Sequence, residues 1–388
     1  MSGTEPRPIR SLHLDTDDRP FIVIWETTRA CALVCTHCRA DAVHHRDPLE
    51  LSTAEGKALL DDLAALGAPR PIVVLTGGDP FERPDLVELV SHGAAAGLSM
   101  ALSPSVTPRL TRSVLTELHD AGARAVSLSI DGASPESHDR FRGIPGVFEA
   151  TLEAAQWVRE IGFRLQINTT VTSGTVHELP AVLERVVGLD AGLWSVFFLV
   201  PTGRGDNLQP LSADQVEEVL HWLHEVGDHV AVKATEAPHF RRVAVQRSRS
   251  SDVDADFPPG PLRSELRAET VRRLGSLHGT RSHSRPPLDV NAGRGFSFVD
   301  HHGFVYPSGF LPLSAGSVRK TPFTEIYRTS DLLVSLRDPD RLSGRCGRCD
   351  LRTVCGGSRS HAFAVSGDPL AEDPTCAYQP PLTDVVAP

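Results

Sequence analysis

Short apolar segments and longer segments of helical period alternate between residues 21 and 226. The apolar segments do not alternate with polar residues, which is typical of strands buried on both faces; they cover residues 21–25, 71–75, 98–102, 125–130, 163–170 and 193–200. Apolar residues recur with helical spacing over residues 53–66, 84–96, 111–121, 148–161, 177–187 and 213–226. The repeated order of strand and helix predicts an α/β fold with a parallel sheet and right-handed crossovers.

This repeat also indicates where function should lie. Six strand and helix units fit either an open doubly wound sheet or an open barrel, because a closed barrel of this type needs about eight. In both arrangements the loops after the carboxyl ends of the strands carry the chemistry. We therefore expect the functional residues in the segments that directly follow the predicted strands.

The same pattern divides the chain into regions. Residues 1–18 form a polar lead-in, and residues 19–240 contain the strand and helix repeat. Residues 241–290 are polar around a predicted helix at 264–274, which is typical of a linker or an insertion. Residues 291–388 form a smaller unit that begins with a predicted β-hairpin in GFSFVDHHGFVYPSG.

Composition excludes several classes of function. The chain has 388 residues, of which 40% are hydrophobic, and this length is enough for two domains. The net charge of -10 is spread along the sequence without a dense basic stripe, which argues against a nucleic-acid partner. The N-terminus lacks the apolar run of a signal peptide, and no run reaches the ~18 residues of a membrane span. We expect a cytoplasmic protein with no membrane partner, whose seven cysteines serve metal or redox chemistry.

Three of these cysteines follow the first predicted strand in the segment ETTRACALVCTHCRA. Cys31, Cys35 and Cys38 have the spacing C-x3-C-x2-C. A structural zinc site takes four protein ligands and a catalytic one takes three plus water, whereas thiolates also hold iron-sulfur clusters. Because a four-iron cluster held by only three cysteines keeps one iron open, the segment indicates a metal site with room for a further ligand.

This segment resembles the signature of the radical S-adenosylmethionine (SAM) superfamily, and the likeness extends over nearly the whole chain. The resemblance implies a partial (β/α)6 barrel and a 4Fe-4S cluster whose open iron binds SAM. An electron from the cluster would cleave SAM to a 5′-deoxyadenosyl radical, which abstracts hydrogen from a substrate. A reduced protein of flavodoxin or ferredoxin type would supply the electron.

The resemblance also implies which residues surround SAM. Gly77, Gly78 and Asp79 correspond to a glycine-glycine-glutamate loop that holds the SAM amino group. His37 takes the place of an aromatic residue beside the adenine, or else it lies exposed in its loop. Contacts with other parts of SAM are implied for Ser105, Ser129, Asp131, Asn168 and Val200, and Arg142 could pair with the SAM carboxylate. From the residues alone, the polar strand ends could equally face water, and Arg142 could equally lie in a surface ion pair.

The other four cysteines form a second set near the C-terminus. They have the spacing C-x2-C-x5-C-x20-C, at Cys346, Cys349, Cys355 and Cys376. Four thiolates complete either one iron-sulfur cluster or one zinc site. The segment resembles the SPASM/Twitch extension of the superfamily, which implies one auxiliary 4Fe-4S cluster with an electron-transfer or structural role.

Two positions differ from relatives that carry two auxiliary clusters. Ser308 follows the hairpin and Arg359 follows the third cysteine of the second set, and both replace cysteines of those relatives. The resemblance therefore implies that the hairpin-associated cluster has been lost.

The resemblance implies a substrate that is a small molecule or a peptide. GDPLAEDPTC and VPTGRG are most similar to the branch that modifies tetrapyrrole side chains, as in heme d1 and alternative heme formation. A maturase of a ribosomally made peptide, of mycofactocin type, is the alternative. A non-catalytic iron-sulfur electron carrier would explain the cysteines but not the polar strand ends.

Several cations could bind the carboxylates of a tetrapyrrole. The candidates are Arg204, Lys233, Arg241, Arg242 and Arg294, and His239 could act as a proton donor or a metal ligand. All of them could equally be ordinary polar residues at the surface or at a domain edge.

Overall fold

The computed structural model describes residues 15–280 and 290–381, and its main feature is one large sheet. Within these residues the strands are β1 (Ile22–Glu26), β2 (Ile72–Thr76), β3 (Ser99–Leu102), β4 (Ala125–Ser129), β5 (Arg164–Val171), β6 (Leu193–Phe198), β7 (Val232–Thr235), β8 (Asn291–Ala292), β9 (Gly295–Val299), β10 (Phe304–Tyr306) and β11 (Gly316–Ser317). The first six strands confirm the six predicted strands, with bounds that differ by one or two residues.

The described helices are α1 (Thr53–Ala65), α2 (Leu86–Ala95), α3 (Arg112–Asp120), α4 (Pro135–Arg142), α5 (Val147–Ile161), α6 (Leu179–Gly188), α7 (Ala213–Glu225), α8 (Phe240–Arg249), α9 (Val253–Asp256), α10 (Pro261–Leu274), α11 (Phe323–Thr329), α12 (Asp331–Arg337), α13 (Gly344–Gly347) and α14 (Arg359–Ser366). The six predicted helices are confirmed as α1, α2, α3, α5, α6 and α7. Helix α4 was missed because it buries only His138 and Phe141, too few apolar positions to give a period. None of the described helices is both long and apolar enough to cross a bilayer.

The strands follow one another in the sheet almost in chain order. Their order is β11-β10-β9-β1-β2-β3-β4-β5-β6-β7, with β8 beside β9, and every pairing from β9 through β1 to β7 is parallel. The strands of this parallel part all direct residues into one cavity. The sheet must therefore curve around the cavity, as the expected partial barrel does.

Part of the predicted linker is instead an ordered layer of the barrel. Helices α8 and α10 lie in the segment 241–290, and α10 packs against α6 and α7. The polar sequence that suggested a linker is explained by buried ion pairs, because Arg263 and Arg267 both bind Glu225 of α7. Residues 281–289 of the segment lie outside the described residues.

The predicted hairpin is confirmed, and its first strand joins the sheet of the barrel. Strands β9 and β10 pair in antiparallel fashion, and Gly303 lies in the turn with φ +85°, a conformation that favours glycine. Strand β9 also pairs in parallel with β1, so the C-terminal region extends the barrel sheet. The described end of the lead-in, from residue 15, is also attached to this region, because Tyr327 Oη donates to Thr16 O at 2.6 Å.

Candidate active site

A cavity of about 400 Å³ extends inside the curved sheet to the carboxyl ends of the parallel strands. Cys31, Cys35 and Cys38 line it from the loop after β1. The volume lies in the range typical of sites for small molecules and cofactors. The structure therefore brings the first cysteine set to the position where the sequence predicted function.

The environment of these thiols suits a metal-bound thiolate. Leu33 N–H donates to Cys31 Sγ at 3.3 Å, and Ala42 N–H donates to Cys38 Sγ at 3.4 Å. Burial raises the pKa of Cys31 to about 11 and also raises the pKa of Cys35, so a bound cation would supply the charge that favours both thiolates. The described cavity wall contains no fourth cysteine. The donor set fits a cluster with one open iron.

Gly77 and Gly78 allow the loop after β2 to lie directly against the cysteine loop. Gly78 N–H donates to Thr28 O at 2.9 Å, and Asp79 N–H donates to Ala30 O at 2.7 Å. A Cβ atom on Gly77 would lie 2.2 Å from Thr28 O, and one on Gly78 would lie 2.4 Å from Ala30 O. Both glycines line the cavity, and only glycine fits at either position.

The carboxylate of Asp79, for which the resemblance implies a place beside the SAM amino group, is hydrogen-bonded within the protein. It accepts a hydrogen bond from Phe81 N–H at 3.2 Å and another from Thr107 Oγ1 at 2.8 Å. Its side chain is buried and does not line the cavity, and burial raises its pKa to about 6. A short aspartate side chain can cap the turn that follows it, so Asp79 stabilises the glycine loop through hydrogen bonds outside the cavity.

Asp131, for which the resemblance implies a contact with SAM, is buried and does not line the cavity. Its carboxylate pairs with Arg142 and accepts a hydrogen bond from Thr170 N–H at 2.7 Å. Burial opposes ionisation of Asp131, but the Arg142 guanidinium outweighs it and keeps the pKa below the usual range. Arg142 does line the cavity, where its Nη1 lies 3.9 Å from Cys35 Sγ. Arg142 therefore lies in the cavity wall and not in an ion pair at the protein surface.

The remaining residues implied for SAM all line the cavity. They are His37, Ser105, Ser129, Asn168 and Val200. The His37 ring stacks on Phe141 with 4.3 Å between centroids, and burial lowers the pKa of His37 to about 3, so its ring is neutral near pH 7. Ser105 Oγ donates to Gly78 O at 2.7 Å and lies 3.4 Å from Cys31 Sγ. This serine joins the glycine loop to the cysteine loop.

The second cysteine set is also gathered around a small cavity. Its lining includes Cys346, Cys349, Cys355 and Cys376. Asp373 N–H donates to Cys346 Sγ at 3.3 Å, and Gly357 N–H donates to Cys355 Sγ at 3.4 Å. Burial raises the pKa of Cys355 to about 12, so this thiol too needs a cation to ionise. All four thiols line one cavity, as ligation of one metal centre by four thiolates requires.

Two buried arginines hold this second set in place. Arg242 lies 3.8 Å from Cys376 Sγ and pairs with Glu217, while Arg359 lies 3.6 Å from Cys346 Sγ. Arg359 also donates to two loop carbonyls, at 2.9 and 2.8 Å. Arg359, which stands at a cysteine position of two-cluster relatives, therefore braces the loop around the remaining set.

The five candidate cations separate into two groups. Arg204, Lys233 and Arg241 line the large cavity, whereas Arg242 and Arg294 do not. Arg241 donates to the carbonyls of Val354, Val290 and Cys355, which connects the cavity wall to the second cysteine set. His239 is completely buried at 3.6 Å from Asp373 and lines neither cavity.

Sequence reasoning missed a charged group at the end of β1. Arg39 pairs with Glu26, and Arg39 also lies 4.7 Å from the centroid of the Phe298 ring in the cavity. His301 Nδ1 lies 2.8 Å from Glu26 Oε1. Burial opposes ionisation of Glu26, but Arg39 and His301 outweigh it and lower its pKa to about 2. The available signal was a glutamate at the end of an otherwise apolar strand.

A parallel partial barrel with three thiols at the carboxyl ends of its strands defines an α/β enzyme with a metal-bound cofactor. Residues 25–186 match the model of the Radical SAM superfamily. An AdoMet-dependent heme synthase from Methanosarcina barkeri is 39% identical over 93% of this chain and 97% of that protein. The mycofactocin maturase MftC of Mycobacterium tuberculosis is 30% identical over 97% of this chain and 87% of that protein.

Solved structures show the same fold at much lower identity. Streptococcus suis SuiB bound to precursor peptide SuiA has a TM-score of 0.67 and 13% identity, over 93% of this chain and 76% of that chain.

The chain belongs to the radical SAM superfamily. It is an enzyme whose cofactors are SAM and a 4Fe-4S cluster, and it acts on a substrate with the help of a reductant. A role as a simple electron carrier is thereby set aside.

Proposed function

We propose that this enzyme abstracts hydrogen from a side chain of a tetrapyrrole. The observation that carries the proposal is the 39% identity with a heme synthase over nearly the whole of both chains. The peptide maturase MftC is the more distant relative, at 30% identity.

The cavity wall supports a flat substrate that is apolar at its centre and acidic at its edge. Phe197 and Phe310 lie 6.4 Å apart between centroids, and Phe298 lies under the Arg39 guanidinium. Aromatic rings of this kind can stack on a macrocycle. Arg204, which also lines the cavity, suits a propionate carboxylate because a guanidinium binds planar carboxylates well.

The residues of the first site would divide the work of holding the cofactors. Cys31, Cys35 and Cys38 would ligate the cluster. The cluster and SAM, when bound, supply the electron and the 5′-deoxyadenosyl radical. The exposed backbone of Gly77 and Gly78 would receive the SAM amino group, with the other cavity-lining residues His37, Ser105, Ser129, Asn168 and Val200 around the rest of SAM. Asp79 and Asp131 would keep these walls in position from behind.

The second cysteine set would hold one auxiliary 4Fe-4S cluster. All four thiols surround one small cavity, so four protein ligands would leave no open iron for a substrate. An electron-transfer or structural role follows from that coordination. A reduced protein of flavodoxin or ferredoxin type would deliver the electron that starts each turnover.

The substrate class is tested by measuring SAM cleavage in the presence of different substrates. Anaerobically reconstituted enzyme is given SAM, dithionite and either an iron porphyrin with propionate side chains or a precursor peptide. We expect the porphyrin, and not the peptide, to increase 5′-deoxyadenosine formation and to change in mass. A mass change on the peptide alone would reject the tetrapyrrole proposal in favour of a maturase.

A further inference from the structure

Glu236 is a carboxylate that the fold holds in the cavity in an unusual backbone conformation. It follows β7 directly and lines the cavity. Its φ of +59° is left-handed, which is uncommon for a residue with a side chain. Such strain persists only where the surrounding structure enforces it, and it is concentrated at ligand sites.

Two serine hydroxyls fix the orientation of this carboxylate. Ser308 Oγ donates to Glu236 Oε1 at 2.9 Å, and Ser358 Oγ donates to Glu236 Oε2 at 2.8 Å. Both serines are buried, at 3% and 0% exposure, and they come from separate segments, after β10 and before α14. Each carboxylate oxygen keeps a further lone pair for a partner in the cavity. Outer hydrogen bonds of this kind are typical of carboxylates that ligate a metal.

The neighbouring side chains indicate what that partner is. A carboxylate repels the acidic edge of a tetrapyrrole, so Glu236 suits an electropositive part of the substrate. The aromatic rings of Phe197 and Phe310 line the same cavity and suit the face of a macrocycle. The electropositive centre of an iron tetrapyrrole is the iron itself, and ferric iron accepts oxygen ligands.

We propose that Glu236 is an axial oxygen ligand to the iron of the substrate, an inference that rests on the proposed function. The part of the cavity wall that carries Glu236 is connected by hydrogen bonds to the second cysteine set. Ser358 N–H donates to Asp373 Oδ2 at 2.6 Å, and Asp373 N–H donates to Cys346 Sγ. Glu236 is thus connected to Cys346 through Ser358 and Asp373, and the iron would be held on this side of the cavity.

The test is a titration of the reconstituted holoenzyme, without dithionite, with a ferric porphyrin that carries propionates. Visible and electron paramagnetic resonance spectra of the porphyrin iron report its axial ligand. The wild-type enzyme should give the spectrum of an oxygen ligand, and Glu236→Gln should lose that spectrum and bind roughly tenfold or more weakly. Gln has nearly the same shape as Glu, which keeps the backbone constraint unchanged.

Three comparisons make the result decisive. Ser308→Ala keeps the carboxylate but removes one orienting hydroxyl, so it should retain an oxygen-ligand spectrum with weaker binding. Glu88→Gln, at an exposed ion pair on α2, should match the wild type. The metal-free porphyrin should bind wild type and Glu236→Gln equally.

The experiment distinguishes a failure of the axial-ligand inference from a failure of the proposed function. An unchanged iron spectrum in Glu236→Gln, or an equal loss of metal-free porphyrin binding in that variant, would overturn the axial ligand and leave the function in place. No binding of either porphyrin to the wild-type enzyme would remove the function and the inference together.

Discussion

Arg142 pairs with Asp131 behind the cavity wall, while its second terminal nitrogen lies 3.9 Å from Cys35 Sγ. One guanidinium therefore connects a buried carboxylate to a cysteine of the first set. The side chains of Asp131 and Arg142 are 1% and 12% exposed, so the pair is largely shielded from water. The relationship connects the loop after β4 to the cysteine loop after β1.

Asp131→Asn should destabilise the protein strongly. Arg142 would remain charged in a buried place without its partner, and breaking a buried pair in this way costs about 3–5 kcal/mol. Glu160→Gln is the control, because both side chains of the Arg112–Glu160 pair are more than half exposed and such pairs contribute at most about 1 kcal/mol. Urea unfolding under anaerobic conditions measures both; equal losses in the two variants would contradict the account.

Gly78→Ala should disable the first site. A methyl group at this position would lie 2.4 Å from Ala30 O and would push the glycine loop away from the cysteine loop. A displacement of about 1 Å can lower a rate by roughly 100-fold, so we expect a loss of that order in 5′-deoxyadenosine formation. Gly188→Ala provides the matched control, because a Cβ there meets nothing within 4 Å. A Gly78→Ala enzyme with normal turnover would show that the close approach is dispensable.

The metal content of the protein distinguishes the two interpretations of the second cysteine set, an iron-sulfur cluster and a zinc site. Two four-iron clusters require about eight irons per chain, whereas a zinc site would give about four irons and one zinc. Removing one thiol from each set, in Cys35→Ala and in Cys376→Ala, should lower the iron content in both variants. Only Cys35→Ala should abolish SAM cleavage. Stoichiometric zinc in the wild-type protein would reject the auxiliary cluster.

Asp79 should make stability depend on pH. Burial raises its folded pKa to about 6, above the unfolded value of 3.8, so its contribution is fully present below pH 3.8 and is lost as the pH rises through 6. The loss amounts to at most about 3 kcal/mol. In urea unfolding between pH 4 and pH 7.5, Asp79→Asn should lose less stability than the wild type as pH increases. Parallel profiles for the two proteins would contradict this prediction.

The barrel could be predicted from the sequence because strands that are buried on both faces are uninterrupted runs of apolar residues. Strands β1 to β6 and the position of the first cysteine set followed from that signal alone. Strand β7, by contrast, was not predicted, because it contains polar residues and none of its residues is fully buried. Helix α10 was predicted only in part. Its arginines gave the segment a polar sequence, although they are buried through ion pairs with Glu225.

The direction of a side chain at a strand end was harder to predict than its position. Asp79 and Asp131 stand at the expected loops, yet one caps a turn and the other pairs with an arginine that lies eleven residues later. Glu236 could not be recognised from a sequence motif, because the two serines that bind it, Ser308 and Ser358, lie in distant segments of the chain. Only the tertiary structure shows which acids support the cavity and which acid faces it.

The central claim is that the first three cysteines hold a cluster whose open iron binds SAM, and one spectrum tests it most directly. A Cys349→Ala/Cys355→Ala variant removes the second set, so that about four irons remain in one cluster. After reduction in the absence of oxygen, its electron paramagnetic resonance signal should change on addition of SAM, and 5′-deoxyadenosine should form. A signal that SAM leaves unchanged, with no SAM bound, would contradict the account.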